Sequence, residues 1–255
     1  MGERASPVVL LDDFRVTGRP FGPHPHAGFS AVTYVFEDSE GDLRSRSSLG
    51  DDLLIGPGGI CWTEAGSGVI HEEVPADPAR ELHGVQIFIN LTARNKLTAP
   101  RVLALDRSEV PEWRSEAGDR VRVVVGSFER LSSPLVPAEP LNLLDVDLPG
   151  EISFSLQDGH NAVAYVLTGD ILVRADGREP KVPGGHALVL HGGGRVTFEA
   201  CQPAHFLILS GAEIREPIFI EGSFIMNEPS QIAAALVRYR DGAMGHLAPL
   251  PEVNS

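Results

Sequence analysis

The chain has 255 residues, 42% of them hydrophobic and 22% charged, an ordinary globular balance with room for one large or two modest cores. A formal net charge of −14 opposes non-specific attraction to nucleic acid or to an anionic membrane, so neither is expected as a direct partner. No apolar run reaches the roughly 20 residues of a spanning helix, MGERASPVVLLDDF lacks the layout of a secretion signal, and Cys61 and Cys201 make no disulfide framework; a cytoplasmic protein is expected.

The predicted elements are mostly strands. Short β-rich runs lie at Ala31–Phe36, Gly84–Leu91, Val121–Val125, Ala162–Leu167, Ile171–Arg174, His186–Leu190 and His205–Leu209. They are bounded by the turn residues among 27 glycines and 20 prolines. Val, Ile, Phe and Tyr favour strands, and such runs at regular spacing predict an all-β sandwich or barrel. Ala93–Lys96 reads as a short turn before Pro100. Pro229–Arg240 reads as a helix, with Pro229 in its first turn, Asn227 or Ser230 as cap and Gly242 closing it. Ile232, Leu236 and Tyr239 recur on one face, which should pack on a barrel wall.

An internal repeat organises these elements. Pro57-Gly58-Gly59 recurs as Pro183-Gly184-Gly185, and Gly66-x-Gly68 as Gly192-x-Gly194, both at an offset of 126 residues. Gly28-x-x-AVTYVF matches Gly159-x-x-AVAYVL at an offset of 131. The halves therefore read as copies of one β-domain, residues 1–127 and 128–255. The Pro- and Ser-rich stretch around Phe128–Pro140 joins them.

The chemistry concentrates in the first copy. In a strand, residues i and i+2 share a face, so His24 and His26 of His24-Pro25-His26 project together. His71 and Glu73 of His71-Glu72-Glu73 do the same, while Glu72 points away towards solvent. Side by side, the two strands would converge three imidazoles and a carboxylate. Such donors suit Fe(II), Mn(II), Ni(II), Cu(II) or Zn(II), with positions left open for water, substrate or dioxygen. Extending the repeat without gaps sets Ser155 opposite His24, Gln157 opposite His26, Thr197 opposite His71 and Glu199 opposite Glu73. The second copy has no imidazole at these positions, so one metal per chain is expected, in the first.

Other candidates read as structural. Phe29 and Trp62 are packing residues, Cys61 lies buried beside Trp62, and His83 is a satisfied structural histidine. His160, His186, His191 and His205 do not share the ligand spacing, and His246 lies in a solvated tail. Gln86 points either into or out of the barrel; alternation alone leaves both open.

Three segments resemble the pirin family. GPHPHAGFSAVTYVFE (22–37) is similar to the pirin motif around H-P-H-R-G-F-E-T-V. PGGICWTEAGSGVIHEEVP (57–75) is similar to P-G-D-x-x-W-M-T-A-G-x-G-I-x-H-S-E-x-P, and HGVQIFINLTARNKLTAPR (83–101) to L-x-G-L-Q-L-W-V-N-L-P. REPIFIEGSFIMN (215–227) and the helix after it also fit. The resemblance implies a bicupin: two tandem cupin-type β-barrels, all-β, with a short C-terminal helix. It implies His24, His26, His71 and Glu73 as metal ligands, iron as the usual metal, and Gln86 as a pocket residue supporting the site. Ala27 stands where the family has Arg, Ser30 where it has Glu and Gly59 where it has Asp. The first two are expected at the metal mouth. Only 23 residues precede His24, so an opening strand of the usual fold is expected to be absent.

Two functions follow from the resemblance. In one, the protein is a quercetin 2,3-dioxygenase-type oxidoreductase that cleaves a flavonol, with Glu73 as general base. In the other it is a non-enzymatic, redox-sensing regulator that acts through a protein partner. A cleft of a few hundred Å³ over the metal would favour the first, and an exposed apolar patch the second.

Overall fold

The computed structural model describes residues 3–251. The chain forms two compact units: Val9–Arg107 with the chain from Ile214 onward, and Ser108–Glu213 with the residues up to Val8. The all-β class holds, with one α-helix among the described residues. No helix among them is long and apolar enough to cross a membrane.

The first unit begins with β1 (Val8–Val16), β2 (His24–His26), β3 (Phe29–Val35), β4 (Leu43–Ser47) and β5 (Asp52–Ile55). It continues with β6 (Ile60–Glu64), β7 (Val69–Pro75), β8 (Leu82–Asn90) and β9 (Arg101–Leu105). One sheet has the order β1-β8-β3-β6-β9 and the other β2-β7-β4-β5. β3, FSAVTYV, is buried along its whole length and pairs antiparallel with β6 and β8. Val35, Leu43, Ile55, Cys61 and Leu82 form a core cluster drawn from both sheets. The opening strand expected to be absent is present: β1 is nine residues long and lies beside β8. The short lead is enough because the strand starts almost at the first residue.

The second unit contains β10 (Glu112–Arg114), β11 (Arg120–Val125), β12 (Ser127–Phe128), β13 (Leu131–Ser132), β14 (Leu141–Leu148) and β15 (Glu151–Leu156). They are followed by β16 (His160–Thr168), β17 (Asp170–Arg174), β18 (Lys181–Pro183), β19 (His186–His191), β20 (Gly194–Ala200) and β21 (Ala204–Ala212). The main sheet runs β10-β11-β14-β21-β16-β19, the second β15-β20-β17-β18. Val121, Leu144, Val173, Phe198 and Phe206 belong to one core cluster, in which the rings of Phe198 and Phe206 lie 5.3 Å apart. The repeat is visible in the pairing: each Pro-Gly-Gly turn leads into a strand, β6 or β19, that pairs with β3 or β16.

After β21 the chain does not stay with the second copy, as a single junction at 127/128 would require. β22 (Phe219–Glu221), β23 (Phe224–Met226) and α1 (Pro229–Arg240) fall in the first unit. Their apolar residues explain this: Phe224, Met226, Ile232 and Ala235 cluster with Ala27 and Met244. The helix has the expected bounds, but Glu228 caps it rather than Asn227 or Ser230. The Gln231 side chain accepts from the backbone N–H groups of Asn227 and Glu228 at 3.0 and 3.1 Å. Tyr239, expected on the packed face, is 41% exposed, whereas Ile232 and Ala235 are buried and Leu236 packs against the same cluster.

Candidate metal centre

β7 is the strand on which the site is built. Its His71 lies opposite His24 of β2 on one side and opposite Ser47 of β4 on the other, and Glu73 lies opposite Ser45. Pro25 is tolerated because β2 ends its sheet and needs no outward N–H. The three imidazoles meet: ring centroids are 4.7 Å apart for His24–His26, 4.8 Å for His24–His71 and 4.5 Å for His26–His71. One donor nitrogen from each lies within 4.8 Å of the others.

The donors fit a transition-metal ion. Both ring nitrogens of His26 and Nδ1 of His71 are buried without a hydrogen-bond partner, and each such group costs about 1–3 kcal/mol if left unpaired. Burial, then the neighbouring His24, pushes His26 down to about 3. Burial, then His26 and His24, holds His71 well below its ordinary range. Both rings are therefore neutral, the form that ligates metal. His24 Nδ1 is 2.9 Å from the Gly22 carbonyl; donating there leaves its Nε2 lone pair for the cluster. His24 Nε2 and His71 Nε2 are 3.2 Å apart. Donors at about 2.1 Å from a shared ion are separated by about 3.0 Å at a right angle and about 3.4 Å at the tetrahedral angle, which brackets that spacing.

Glu73 sits beside the cluster rather than in it. Thr33 Oγ1 donates to its Oε2 at 2.5 Å and Ser45 Oγ to its Oε1 at 3.2 Å. Burial raises its pKa, against the lowering effect of bonds from Thr33, Ser45 and Cys61. The Cys61 thiol donates to Ser45 Oγ at 3.3 Å, and burial pushes its pKa far up, so it is not a reactive thiolate. Thr33 and Ser45 were not singled out in the sequence. Alternation marks them as facing the same interior as Glu73, but only after the strand neighbours are known.

His24, His71, Glu73 and Gln86 line a cavity of about 470 Å³. Phe14, Val16, Phe21 and Leu82 supply its apolar wall. Gln86 therefore faces in, opposite Thr33 on the β3–β8 pair. His26 lies behind, with its ring 5.0 Å from Phe29 and 5.7 Å from Phe88.

Several neighbours differ from expectation. Glu72 turns away from the cluster but is buried, in an ion pair with Arg46 at 2.7 Å; the adjacent strand β4 brings that guanidinium over it. Ala27 and Ser30 are buried and do not line the cavity. Ala27 instead packs in the cluster that holds the C-terminal helix. Lys96 is fully buried, and its Nζ donates to the carbonyls of Gly28 and Ile225 and to Asn90 Oδ1 at 2.6–3.0 Å. It ties the turn after His26 to β23, and nothing in the sequence pattern announces it.

Four other histidines make local contacts. His83 bonds Asp38 at 2.6 Å and Asp13 at 3.1 Å. His186, His191 and His205 contact the Gly184 carbonyl, Asn161 and Asp145, and they share no centre. In the second copy, Thr197 pairs with Ser153 rather than Ser155, with their hydroxyls 2.8 Å apart, and Gln157 lies beyond β15. The gapless repeat does not hold across the turns: three residues separate β15 from β16 where two separate β2 from β3, and two separate β19 from β20 where four separate β6 from β7. Glu199 is engaged by Arg174.

The family model described as Pirin matches residues 3–89, and that of the pirin C-terminal cupin domain matches residues 143–245. The chain belongs to the pirin family. It is 32% identical to human Pirin over 94% of this chain and 83% of that protein. A Pseudomonas aeruginosa relative, provisionally named a quercetin 2,3-dioxygenase, is 33% identical over 95% of this chain and 88% of the relative. Among solved structures, a quercetin 2,3-dioxygenase from Acinetobacter baumannii superposes with a TM-score of 0.84 at 28% identity, covering 96% of this chain and 88% of that one. The pirin fold thus comprises two cupin domains, and in this member the imidazole cluster falls in the first of them.

Proposed function

We propose that this pirin is a metal-dependent dioxygenase that cleaves a flavonol such as quercetin, with one divalent transition ion, iron(II) foremost, held by His24, His26 and His71. Glu73 is the adjoining carboxylate, a general base that can also turn onto the ion as a fourth ligand. The observation that carries this reading is the cavity of about 470 Å³ into which the imidazoles of His24 and His71 and the carboxylate of Glu73 face. Its size and apolar wall suit a small aromatic ligand.

A bound ion would supply Lewis-acid polarisation of a chelating hydroxy-ketone and activation of dioxygen. The chain supplies the rest. Phe14 and Phe21 offer faces to the planar rings, and Val16 and Leu82 help to exclude water. Glu73 is placed to take the 3-hydroxyl proton at Oε1, the oxygen held more loosely by Ser45. Thr33 keeps the other oxygen fixed, so the carboxylate can pivot without leaving the cavity. Gln86 can donate to a carbonyl oxygen of the ligand. Flavonol and dioxygen together give a ring-opened ester and carbon monoxide.

The regulatory alternative draws on a different observation: Phe219, Ile220 and Val237, near the C-terminal helix, are 43%, 57% and 51% exposed. The two readings separate on turnover. Iron-loaded protein should consume quercetin with equimolar release of carbon monoxide. Iron-replete protein that binds quercetin without consuming it, or ignores it, would transfer the weight to the regulator.

A further inference from the structure

The two barrels differ at one end. β16 is the counterpart of β3, matched by the Gly-x-x repeat at an offset of 131 residues, so His160 stands where Phe29 does. Ser210 of β21 lies opposite Ala162, as Phe88 of β8 lies opposite Ala31, so Ser210 stands where Phe88 does. In the first barrel the two phenyl rings meet, with centroids 4.6 Å apart. They pack with Ile218 and Ile225 of the returning C-terminal segment. In the second barrel an imidazole and a small hydroxyl replace the rings, and a cavity of about 630 Å³ lies beside them.

Every residue lining this cavity belongs to the second unit. One wall is the strand ends at Leu141, Leu156 and Ser210. The other is the Pro- and Ser-rich stretch after Phe128, through Ser132, Leu135 and Pro137. The volume falls in the range of small-molecule sites, roughly 300–1,000 Å³.

The lining selects against charge. None of its residues is Asp, Glu, Lys or Arg, so a charged ligand would give up water there without gaining an ion pair. It also holds no phenyl or indole ring, whereas Phe14 and Phe21 line the cavity at the imidazole cluster. A flat aromatic ligand therefore has less to stack on in the second barrel. What the lining offers is serine hydroxyls, the amides of Asn142 and Gln157 and the His160 ring. These groups donate and accept hydrogen bonds, as a sugar hydroxyl does. Leu135, Leu141 and Leu156 add apolar surface for the C–H face of a sugar ring.

Two of the polar groups point to a missing partner. Ser210 is only 6% exposed, and its hydroxyl, which faces the cavity, makes no hydrogen bond among the described residues. A hydroxyl so enclosed is costly to leave unpaired. Asn142 Oδ1 accepts from the Ser127 N–H at 2.9 Å, which fixes the side chain and leaves its amide nitrogen as a donor beside Ser210, its register partner.

We propose that the second barrel binds an uncharged sugar in this cavity, with Ser210, Asn142, Gln157 and His160 bonding its hydroxyls. The proposal is independent of the chemistry at the histidine cluster.

The test titrates the full chain with glucose, galactose and maltose, and with glucuronate as the charged counterpart, by saturation-transfer NMR. It is run at about pH 8, where an ordinary imidazole is uncharged. At least one uncharged sugar should bind saturably, and glucuronate about tenfold more weakly than glucose. Ser210→Phe, which supplies the ring found at the matching place in the first barrel, should abolish binding and leave metal content unchanged. Ser210→Ala and Gln157→Ala, which add no bulk, should each weaken it about three- to tenfold. Excess quercetin should not displace the sugar. No saturation by any of the three uncharged sugars, or glucuronate bound as tightly as glucose, would overturn the proposal. So would binding that survives all three substitutions unchanged, or displacement by quercetin, since the sugar would then occupy the cavity at the imidazole cluster.

Discussion

His24 and His71 face each other across the β2–β7 pair with their Nε2 atoms 3.2 Å apart. The register sets this spacing. A one-residue slip of β2 would turn both of its imidazoles to the other face of the sheet.

Thr33 holds Glu73 off the imidazole cluster through the 2.5 Å bond to Oε2. Thr33→Val keeps the shape and removes the donor, leaving a buried carboxylate oxygen unpaired. Urea denaturation should show a loss of about 1–3 kcal/mol, with the metal content unchanged.

His83 predicts a pH dependence of stability. Burial lowers its pKa, but the bonds to Asp13 and Asp38 outweigh that and leave it raised, while Asp38 in turn is lowered despite its own burial. A raised histidine pKa contributes stability that is fully present below the unfolded value of about 6.5 and is lost as pH rises through the folded value. Wild-type protein should therefore lose stability across that interval, measured by urea midpoints on either side. His83→Gln should flatten the loss.

Phe21 is 66% exposed at the cavity wall, an apolar surface that a planar ligand would cover. Phe21→Ala should raise KM for quercetin about five- to tenfold, from the apolar area no longer buried on binding, and leave kcat and metal content near wild type. Steady-state kinetics over a range of quercetin concentrations checks this.

Much of the site was legible because strand geometry has a period of two. His24-Pro25-His26 and His71-Glu72-Glu73 each put two donors on one face before any partner is known. The helix was legible from Pro229 and Gly242. What escaped the sequence depends on neighbours distant along the chain. Glu72 is buried because Arg46 arrives from β4, and Glu73 is turned by hydroxyls on β3 and β4. The pairing of Thr197 with Ser153 depends on a turn length that the repeat alone does not reveal. The return of the C-terminal segment to Ala27 depends on apolar packing that periodicity marks as buried without saying against what.

The central claim is that His24, His26 and His71 hold one transition-metal ion per chain, and metal content tests it most directly. Protein reconstituted anaerobically with Fe(II), desalted and analysed by mass spectrometry should carry one iron per chain. His26→Ala should carry almost none while keeping the wild-type circular dichroism spectrum. One iron per chain retained in folded His26→Ala, or none in wild type after reconstitution, would contradict the account.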